Sequence, residues 1–361
     1  MSYGKLIRLS LILALAGMAT GIFIVSGWHD WIEQQYSTGF YPKLAATLRT
    51  TLGFLPFSLG DILYSGALFY ICLELYLFLR RLLNRRMTWK ERIVPLQKAV
   101  IAVLFLYVYF YFFWGLNYYR RGIEYQLGLT NQQVQVQELK EISNLLLQRV
   151  NHTKETCLQK QDTVMDRERM FRAAEQAYHQ LEPRFSFLTY RNLSLKPSLF
   201  GKLGNYVGFE GYYNPFTGEG QVNVRIPGFV QPFVTCHEMA HQLGYASESE
   251  ANFVGFMAAS RSKDTLMQYS AYFDMFLYAV SNLRRTDSSA ARLLVEQLHP
   301  GARRDLRTYR RFLQEHRSFL SDLTDQLYDY YLKQNRQRKG IESYHEVTGW
   351  LIAYHRKYGL L

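Results

Sequence analysis

The segment His237-Glu238-Met239-Ala240-His241 contains the residue types from which a catalytic zinc site is built. On a helix, His237 and His241 lie at positions i and i+4, so both imidazoles point to the same face. Nitrogen atoms at this spacing can bind one zinc ion at about 2.0–2.1 Å. Glu238 is rotated away from the histidines, where it can hold a water molecule and act as a general base. The segment therefore predicts metal-assisted hydrolysis.

The residues around this HExxH pattern indicate whether it lies on a buried helix that binds a metal or on a solvated helix that carries the pattern by chance. The flanks are apolar, and Gly244 is placed to end the helix in a left-handed turn. The run from Ser247 to Glu250 then predicts a capping box that opens a second helix, from Glu248 to about Ser260. A helix, a glycine turn and a second helix would bring a third ligand back to the metal.

Two glutamates, Glu248 and Glu250, are close enough in sequence to supply that third ligand. Glu250 lies about 200° further round the new helix, so both cannot face one ion. We favour Glu248, because the capping box gives Glu250 a backbone partner at Ser247. Asn252 follows Glu248 by one turn, as Asp or Asn does in many peptidases with a glutamate zinc ligand, and could orient a ligand histidine. A plain polar residue at position 252 is equally compatible with the pattern.

The sequence leaves several candidates for the residues that contact a substrate. The run Gln221–Arg225 is a candidate sheet edge to which a substrate backbone could add as a further strand, although a structural hairpin fits equally well. Tyr213 and Tyr344 are candidates for stabilising an oxyanion. Because the chain has 28 tyrosines, residue type alone does not single out either one. His345 and His355 could have the same role, but ordinary surface or helix-end positions fit them better.

The composition indicates a protein that contacts a membrane. Of 361 residues, 48% are hydrophobic, and the net charge of +12 comes from basic residues clustered beside apolar spans. The sequence has no recognisable nucleic-acid-binding module and no Gly-rich phosphate loop, so we expect a lipid bilayer and no nucleic acid as partner. Three cysteines do not make a disulfide framework, and Cys236, beside His237, is interpreted as a small buried residue.

Three stretches are long and apolar enough to cross a bilayer: Leu9–Trp28, Ile62–Leu79 and Ala99–Tyr119. A cleaved signal peptide is the alternative for the first, but its apolar character continues beyond a possible cleavage site. The loop Arg80–Lys98 carries seven basic residues, which predicts a cytoplasmic position. The N-terminus is then cytoplasmic, whereas the loop His29–Asp61 and everything after residue 119 lie outside.

The sequence thus divides into a membrane domain, residues 1–119, and an extracytoplasmic domain, residues 120–361. The second domain opens with a helical pattern from Thr130 to about Val150. Further on, Tyr212–Val224 is typical of two short strands joined by a turn at Gly218–Gly220. We predict a mainly α fold, in which N-terminal transmembrane helices precede a zincin-like, mostly helical metallopeptidase domain with a small β element.

The chain resembles the bacterial domain-of-unknown-function 3810 family in four motifs and in its N-terminal spans. The motifs are His237–Gly244, Ser247–Phe253, Asn214–Glu219 and Gly340–Tyr344. The resemblance covers nearly the whole chain. It implies a membrane zinc metallopeptidase of the HExxH type, but it implies no particular substrate.

We therefore expect a multi-pass protein of the bacterial cell membrane that hydrolyses peptide bonds in peptide or protein substrates. The expected cofactor is Zn²⁺, bound by His237, His241 and Glu248, with Glu238 as the base and Asn252 behind a histidine. Two other functions stay open. One is a non-catalytic zinc-binding membrane sensor or scaffold, against which Glu238 weighs, since a structural site needs no base. The other is a zinc amidase that acts on cell-wall peptides.

Overall fold

Helices make up most of the fold, and one small sheet accompanies them. The structure is a computed structural model that describes residues 3–83, 89–129, 134–335 and 346–359. In chain order the α-helices are α1 (Tyr3–Val25), α2 (His29–Trp31), α3 (Tyr41–Leu52), α4 (Leu59–Leu83), α5 (Trp89–Phe113), α6 (Gly122–Leu127), α7 (Val136–Gln159), α8 (Arg167–Leu181), α9 (Gly201–Val207), α10 (Gln231–Gln242), α11 (Glu248–Ala259), α12 (Thr265–Thr286), α13 (Ser288–Glu296), α14 (Pro300–His316), α15 (Phe319–Gln334) and α16 (Glu346–Tyr358). The strands are β1 (Leu195–Pro197), β2 (Gly211–Asn214) and β3 (Glu219–Val222).

Three apolar helices near the N-terminus, α1, α4 and α5, are long enough to span a membrane. The prediction of a mainly α fold with three such helices is confirmed. The third helix is displaced from its predicted bounds, since α5 begins at Trp89 instead of Ala99 and ends at Phe113 instead of Tyr119. Charged residues lower the hydropathy of its first turns without interrupting the helix. Trp114, at φ −155°, then ends the helix before the apolar sequence ends.

The segment His29–Asp61, which the sequence predicts as a loop, is mostly helical. It forms α2, a π-helix over Ile32–Phe40 and then α3. Tyr36 and Tyr41 are buried in a small apolar core together with Trp114, which follows α5. Residues that precede α4 in sequence and residues that follow α5 therefore pack together at one end of these helices. The contacts of this segment cross the predicted domain boundary at residue 119.

The main apolar core lies between residues 123 and 354, where α7 runs along α12 and α10 packs against α11. The helix predicted to begin at Thr130 begins at Val136, after a capping box formed by Gln135 and Glu138. Thr130 itself lies outside the described residues. The core holds α10 and α11, which carry the metal motif, against each other.

The sheet has the strand order β1-β3-β2, with β3 parallel to β1 and antiparallel to β2. Strands β2 and β3 form the predicted hairpin, although the turn falls between Asn214 and Glu219 rather than at Gly218–Gly220. The prediction that Gln221–Arg225 forms a sheet edge is wrong, because β3 is paired on both sides and β2 is an edge strand. Strand β1 lies outside the hairpin in sequence. The alternation of apolar and polar residues within the hairpin therefore could not reveal that β1 pairs with β3.

Glu219 connects the central strand to the first turn of α4. Its carboxylate accepts hydrogen bonds from the backbone N–H groups of Leu59 at 3.1 Å and Gly60 at 2.7 Å. Asp61, in the same turn, accepts a hydrogen bond from the Tyr212 hydroxyl on β2. Both carboxylates are fully buried, and negative charge is favourable at a helix N-terminus. Buried polar contacts therefore fix the end of a membrane helix to the sheet.

Candidate metal centre

The metal motif lies on α10, and the chain leaves this helix through a glycine turn. Gly244 adopts the left-handed conformation at φ +88°. The N–H of Tyr245 donates to the carbonyl of Ala240 at 3.2 Å. The N–H of Gly244 donates to the carbonyl of His241 at 3.0 Å, which completes a Schellman motif. The predicted turn is thus confirmed, and it redirects the chain toward α11.

His237, His241 and Glu248 meet between α10 and α11. Glu248 Oε2 lies 3.2 Å from His237 Nε2 and 3.7 Å from His241 Nε2. One ligand atom from each residue lies within 4.8 Å of the other two. Helix α11 can come this close because position 255 is glycine: a Cβ on Gly255 would lie 3.0 Å from the backbone nitrogen of His237. The two helices thereby bring together three side chains that could hold a metal ion.

The outer nitrogen of each histidine has its own partner. His237 Nδ1 lies 2.8 Å from Asn252 Oδ1, and His241 Nδ1 lies 2.7 Å from the backbone carbonyl of Tyr245. A carbonyl oxygen only accepts, so these contacts assign the ring protons to Nδ1 and leave both Nε2 lone pairs for a metal. Asn252 stands where the sequence predicted it, and such outer partners orient metal-binding histidines.

Glu250 does not form the predicted capping box. Ser247 precedes α11 as its N-cap residue but makes no side-chain capping bond. The Glu250 carboxylate instead accepts a hydrogen bond from the backbone N–H of Ile123 at 2.7 Å. The prediction failed because a donor 127 residues away in sequence replaced the local partner. Glu250 still points away from the histidines, so the choice of Glu248 does not depend on the box.

The charges of the three ligand side chains influence one another. Burial lowers the pKa of His237, although the nearby Glu248 carboxylate opposes this. Burial also acts to lower the pKa of His241, but Glu248 outweighs it and raises that pKa to about 9. Burial alone would raise the pKa of Glu248, yet the two histidines hold it well below its ordinary value. The ionised Glu248 thus favours positive charge at the position where a cation would bind.

Glu238 lies beside the ligand group without joining it. The residue is 2% exposed, and its Oε2 is buried with no hydrogen-bond partner among the described residues. Strand β2 passes so close that a Cβ on Gly211 would overlap Glu238 Oε1. Burial raises the pKa of Glu238 to about 8, with His241 opposing the rise and Glu248 adding to it. An unpaired buried carboxylate oxygen is costly, and a water molecule or a substrate could complete its hydrogen bonding.

Glu238 and the three ligand residues face a cavity of about 670 Å³. Part of the cavity wall is aromatic and belongs to the ends of the membrane helices, with Tyr64 from α4 and Phe110 from α5. Trp114, the first residue after α5, joins this wall. Strand β2 and helix α15 contribute further parts of the lining. The cavity therefore connects the metal motif to the membrane helices.

Another part of the wall carries two carboxylates, Glu210 and Asp274. The Tyr309 hydroxyl donates to Glu210 Oε1 at 2.6 Å. Burial raises the pKa of both carboxyl groups, and the charge of Glu210 raises that of Asp274 further. No local pattern selects either residue, because neither lies in a motif and both reach the cavity through the tertiary fold.

Residues next to the membrane helices cap the C-terminal end of α10. Trp114 Nε1 donates to the carbonyl of His241 at 3.2 Å. The carbonyl of Gln242 accepts from the Tyr41 hydroxyl at 3.1 Å and from the Arg49 guanidinium at 3.2 Å. An isolated helix leaves these last carbonyls without partners, and a positive charge is favourable beside them. Trp114, Tyr41 and Arg49 lie 127, 201 and 193 residues from their acceptors, so no local sequence pattern reveals that they cap this helix.

The remaining sequence candidates have different positions. Tyr213 lines the cavity, and its hydroxyl accepts a hydrogen bond from Tyr41 at 3.3 Å. Tyr344 and His345 lie outside the described residues. His355 lies on α16 and is not among the described residues that line the cavity. Cys236 is fully buried as a free thiol, as predicted.

The side chains present fit a zinc ion. Two imidazoles and one carboxylate are the ligand set of a class of catalytic zinc sites, which keep a further position open for water. Each imidazole has its outer nitrogen occupied, and the buried Glu238 oxygen that lacks a partner lies beside the group. Cysteine, the usual ligand of structural zinc, does not contribute here.

Comparison with known proteins gives one match. A family model described as "Protein of unknown function (DUF3810)" matches residues 36–352, which is most of the chain. No curated protein and no solved structure matches.

Proposed function

This chain belongs to the DUF3810 family, whose description gives no activity, and we propose that it is a membrane-anchored zinc metallopeptidase. The observation that carries the proposal is the convergence of His237, His241 and Glu248 beside the unpaired carboxylate oxygen of Glu238. Such a ligand set leaves a position for water and substrate, which distinguishes catalytic zinc sites from structural ones. A sensor or scaffold would have no use for the buried base.

In this mechanism each side chain has a defined task. His237, His241 and Glu248 hold the ion, and Asn252 keeps one imidazole in place. A zinc ion bound there supplies positive charge that polarises a water molecule and the substrate carbonyl. Glu238 takes a proton from the water while the water oxygen adds to the carbonyl carbon. The C–N bond then breaks, and Glu238 passes the proton to the leaving amine.

Strand β2 is suited to hold the substrate backbone. It is an edge strand, and its residues Gly211, Tyr212 and Tyr213 line the cavity that contains Glu238. An extended peptide could add to its free edge through main-chain hydrogen bonds, as peptides do at other exposed sheet edges. A sheet edge beside an HExxH helix, followed by a second helix with the glutamate ligand, supports a zincin-like domain.

We place the catalytic domain outside the cytoplasm of a bacterial cell. The chain between α4 and α5 is basic, which favours the cytoplasmic side. The opposite ends of α4 and α5 contact the domain that contains the metal motif on α10 and α11, which we call the metal domain. The contacts are made by Glu219 at the start of α4 and by Trp114 after α5. The domain is then extracytoplasmic, and the protein crosses the membrane several times.

The decisive experiment measures zinc content and proteolysis in the purified full-length protein. The wild type should bind about one zinc per chain, and His237→Ala and His241→Ala should each lose it, because two ligands hold zinc poorly. Glu238→Gln should keep the zinc and lower the cleavage of unfolded casein by about 10²–10⁴-fold, the contribution of a general base.

Glu250→Gln is the matched control, since it changes another buried glutamate that does not face the histidines. It should retain both zinc and activity. Zinc that is retained in both histidine variants would refute the metal site. Unchanged cleavage by Glu238→Gln would refute the catalytic role and leave a zinc-binding scaffold as the function.

A further inference from the structure

The metal ligand His241 lies directly at the end of a membrane helix. Trp114, the first residue after α5, donates through Nε1 to the His241 carbonyl, and the two rings lie 6.1 Å apart. The apolar part of α5, Ile93–Phe113, has 21 residues. At 1.5 Å per residue this is about 30 Å, the thickness of the hydrocarbon core. The end of α5, and with it His241, therefore lies at the boundary between lipid and water.

The side of the cavity toward the bilayer is built from aromatic residues of the membrane helices. The Phe216 ring stacks on Tyr109 of α5 at 4.9 Å and meets Tyr64 of α4 edge-on at 6.1 Å. Phe216, Tyr64 and Phe110 all line the cavity. Aromatic rings of this kind are typical of the interface between lipid and water. The cavity thus reaches the level of the lipid headgroups.

The metal domain cannot easily tilt away from this level. Glu219 holds the first turn of α4, and Asp61 in that turn is bound by Tyr212 of β2. Trp114 holds α10 to the end of α5. Two membrane helices are therefore fixed to the elements that carry the site.

Helix α15 extends the membrane contact across the cavity. Thr324 and Asp325 line the cavity, whereas the adjoining face of the helix is apolar and exposed. At its C-terminal end α15 joins the end of α5, where the Tyr331 hydroxyl donates to Tyr118 at 3.2 Å. The apolar face is formed by Phe319, Leu320, Leu323, Leu327 and Tyr330, which are 40–79% exposed. Because α15 contacts the end of a candidate spanning helix, we infer that the occupant of this apolar face is the bilayer surface.

From this placement we propose that the substrate is a polypeptide anchored in the membrane and cleaved within a few residues of its anchor. The inference rests on the proposed peptidase function and names its substrate class. An anchored chain presents the segment next to its anchor at the depth of the cavity. Confinement to the same membrane also raises its effective concentration at the site, whereas a soluble chain has to reach a cleft at the headgroup level.

One test compares anchored and free forms of the same substrate in liposomes that contain the full-length protein. The probe is a mixed fluorogenic peptide library, prepared with and without a palmitoyl anchor at its C-terminus. The anchored library should be cleaved about tenfold faster or more at equal bulk concentration, with cuts clustered near the anchor. Equal rates, or cuts spread evenly along the peptides, would overturn the inference. If the two libraries were cleaved at equal rates but Glu238→Gln abolished the cleavage of both, the inference about the substrate would fail and the peptidase function would stand.

A second test measures depth in the membrane and needs no activity. A fluorescent label is attached at Leu327→Cys on the apolar face of α15, in a Cys72→Ser background because Cys72 is exposed. The matched control is Leu293→Cys on α13, a helix that packs on α7 and α12, where the native side chain is 52% exposed. Lipids that carry a spin label should quench the Leu327 label several-fold more than the control. Equal quenching would place the cleft away from the bilayer and refute the inference, whatever the catalytic results.

Discussion

Glu248 and Glu250 are separated by one residue on α11, yet their carboxylates have different partners. Glu248 lies 3.2 Å from His237 Nε2, whereas Glu250 accepts a hydrogen bond from the N–H of Ile123. Helix geometry causes the difference, because two positions along a helix turn a side chain by about 200°. One carboxylate therefore lies beside the two histidines, and the other binds the backbone of Ile123.

This separation predicts unequal effects of the same substitution. Glu248→Gln should weaken zinc binding by more than the roughly 10–100-fold that follows the loss of an outer partner such as Asn252. Glu250→Gln should leave zinc affinity within about twofold, because an amide oxygen can still accept from Ile123. Chelator competition on the two full-length variants measures both affinities. A loss of zinc in Glu250→Gln but not in Glu248→Gln would reverse the assignment.

At the scale of single residues, the features of the site that could be predicted from the sequence are those that depend on neighbours within about one helical turn. The i, i+4 spacing of His237 and His241 and the turn at Gly244 are local, and the structure has both. The capping box was also a local prediction, but Ile123 satisfied Glu250 from another part of the chain. Local patterns indicate which bonds are available, and the tertiary fold decides which of them form.

The π-helix Ile32–Phe40 and the chain after α5 are joined by one buried ion pair. Glu33 Oε1 lies 2.9 Å from Arg120 Nη2, and both side chains are less than 5% exposed. Arg120 also donates to the Gly244 carbonyl at 3.2 Å, at the turn that ends the metal helix. A segment that sequence patterns described as a loop thus supports the site, through contacts that no local pattern reveals.

The ion pair predicts a stability loss that depends on pH. Burial alone would raise the pKa of Glu33, but Arg120 and nearby backbone N–H groups lower it below its ordinary value of 4.5. A carboxyl group with a lowered folded-state pKa stabilises the fold above about pH 4.5, and this contribution is lost as the pH falls through the folded-state value. Glu33→Gln removes the carboxylate that pairs directly with the buried Arg120, which costs on the order of 3–5 kcal/mol.

Thermal unfolding of the detergent-solubilised protein, followed by tryptophan fluorescence, tests this prediction. Glu33→Gln should lower Tm clearly at pH 7, and the difference from wild type should shrink as the pH is lowered below 4.5. The exposed pair Arg172 and Glu168 provides the control, since Glu168→Gln should change Tm little at either pH. A constant difference across this range would show that the ionised Glu33 is not the stabilising group.

At the scale of the whole molecule, the three apolar helices α1, α4 and α5 meet the rest of the fold at one of their ends. The end of α1, the start of α4 and the end of α5 all continue into segments that contact the metal domain. The basic sequence between α4 and α5 is at the other end of these helices. The number of apolar helices could be predicted from hydropathy, but their attachment to the sheet and to α10 depends on side chains far apart in sequence.

The topology prediction follows from the positive-inside rule. Alkaline phosphatase fused after Leu361 should be active, because it folds only outside the cytoplasm, and green fluorescent protein fused there should stay dark. The reverse pattern is expected for both reporters when they are inserted after Arg85, in the basic sequence. Fluorescence from the C-terminal fusion would place the metal domain inside the cell.

The cap on α10 also has a consequence for how the protein is made. Tyr41, Arg49 and Trp114 are synthesised more than a hundred residues before the helix whose carbonyls they bind. In the proposed topology they would reach the far side of the membrane only when the helices next to them have been inserted. A nascent chain still in the cytoplasm would lack this support for the metal motif. If the proposed function and topology hold, biogenesis would act as a safeguard, because the peptidase would become competent only after translocation and would not cleave proteins in the cytoplasm.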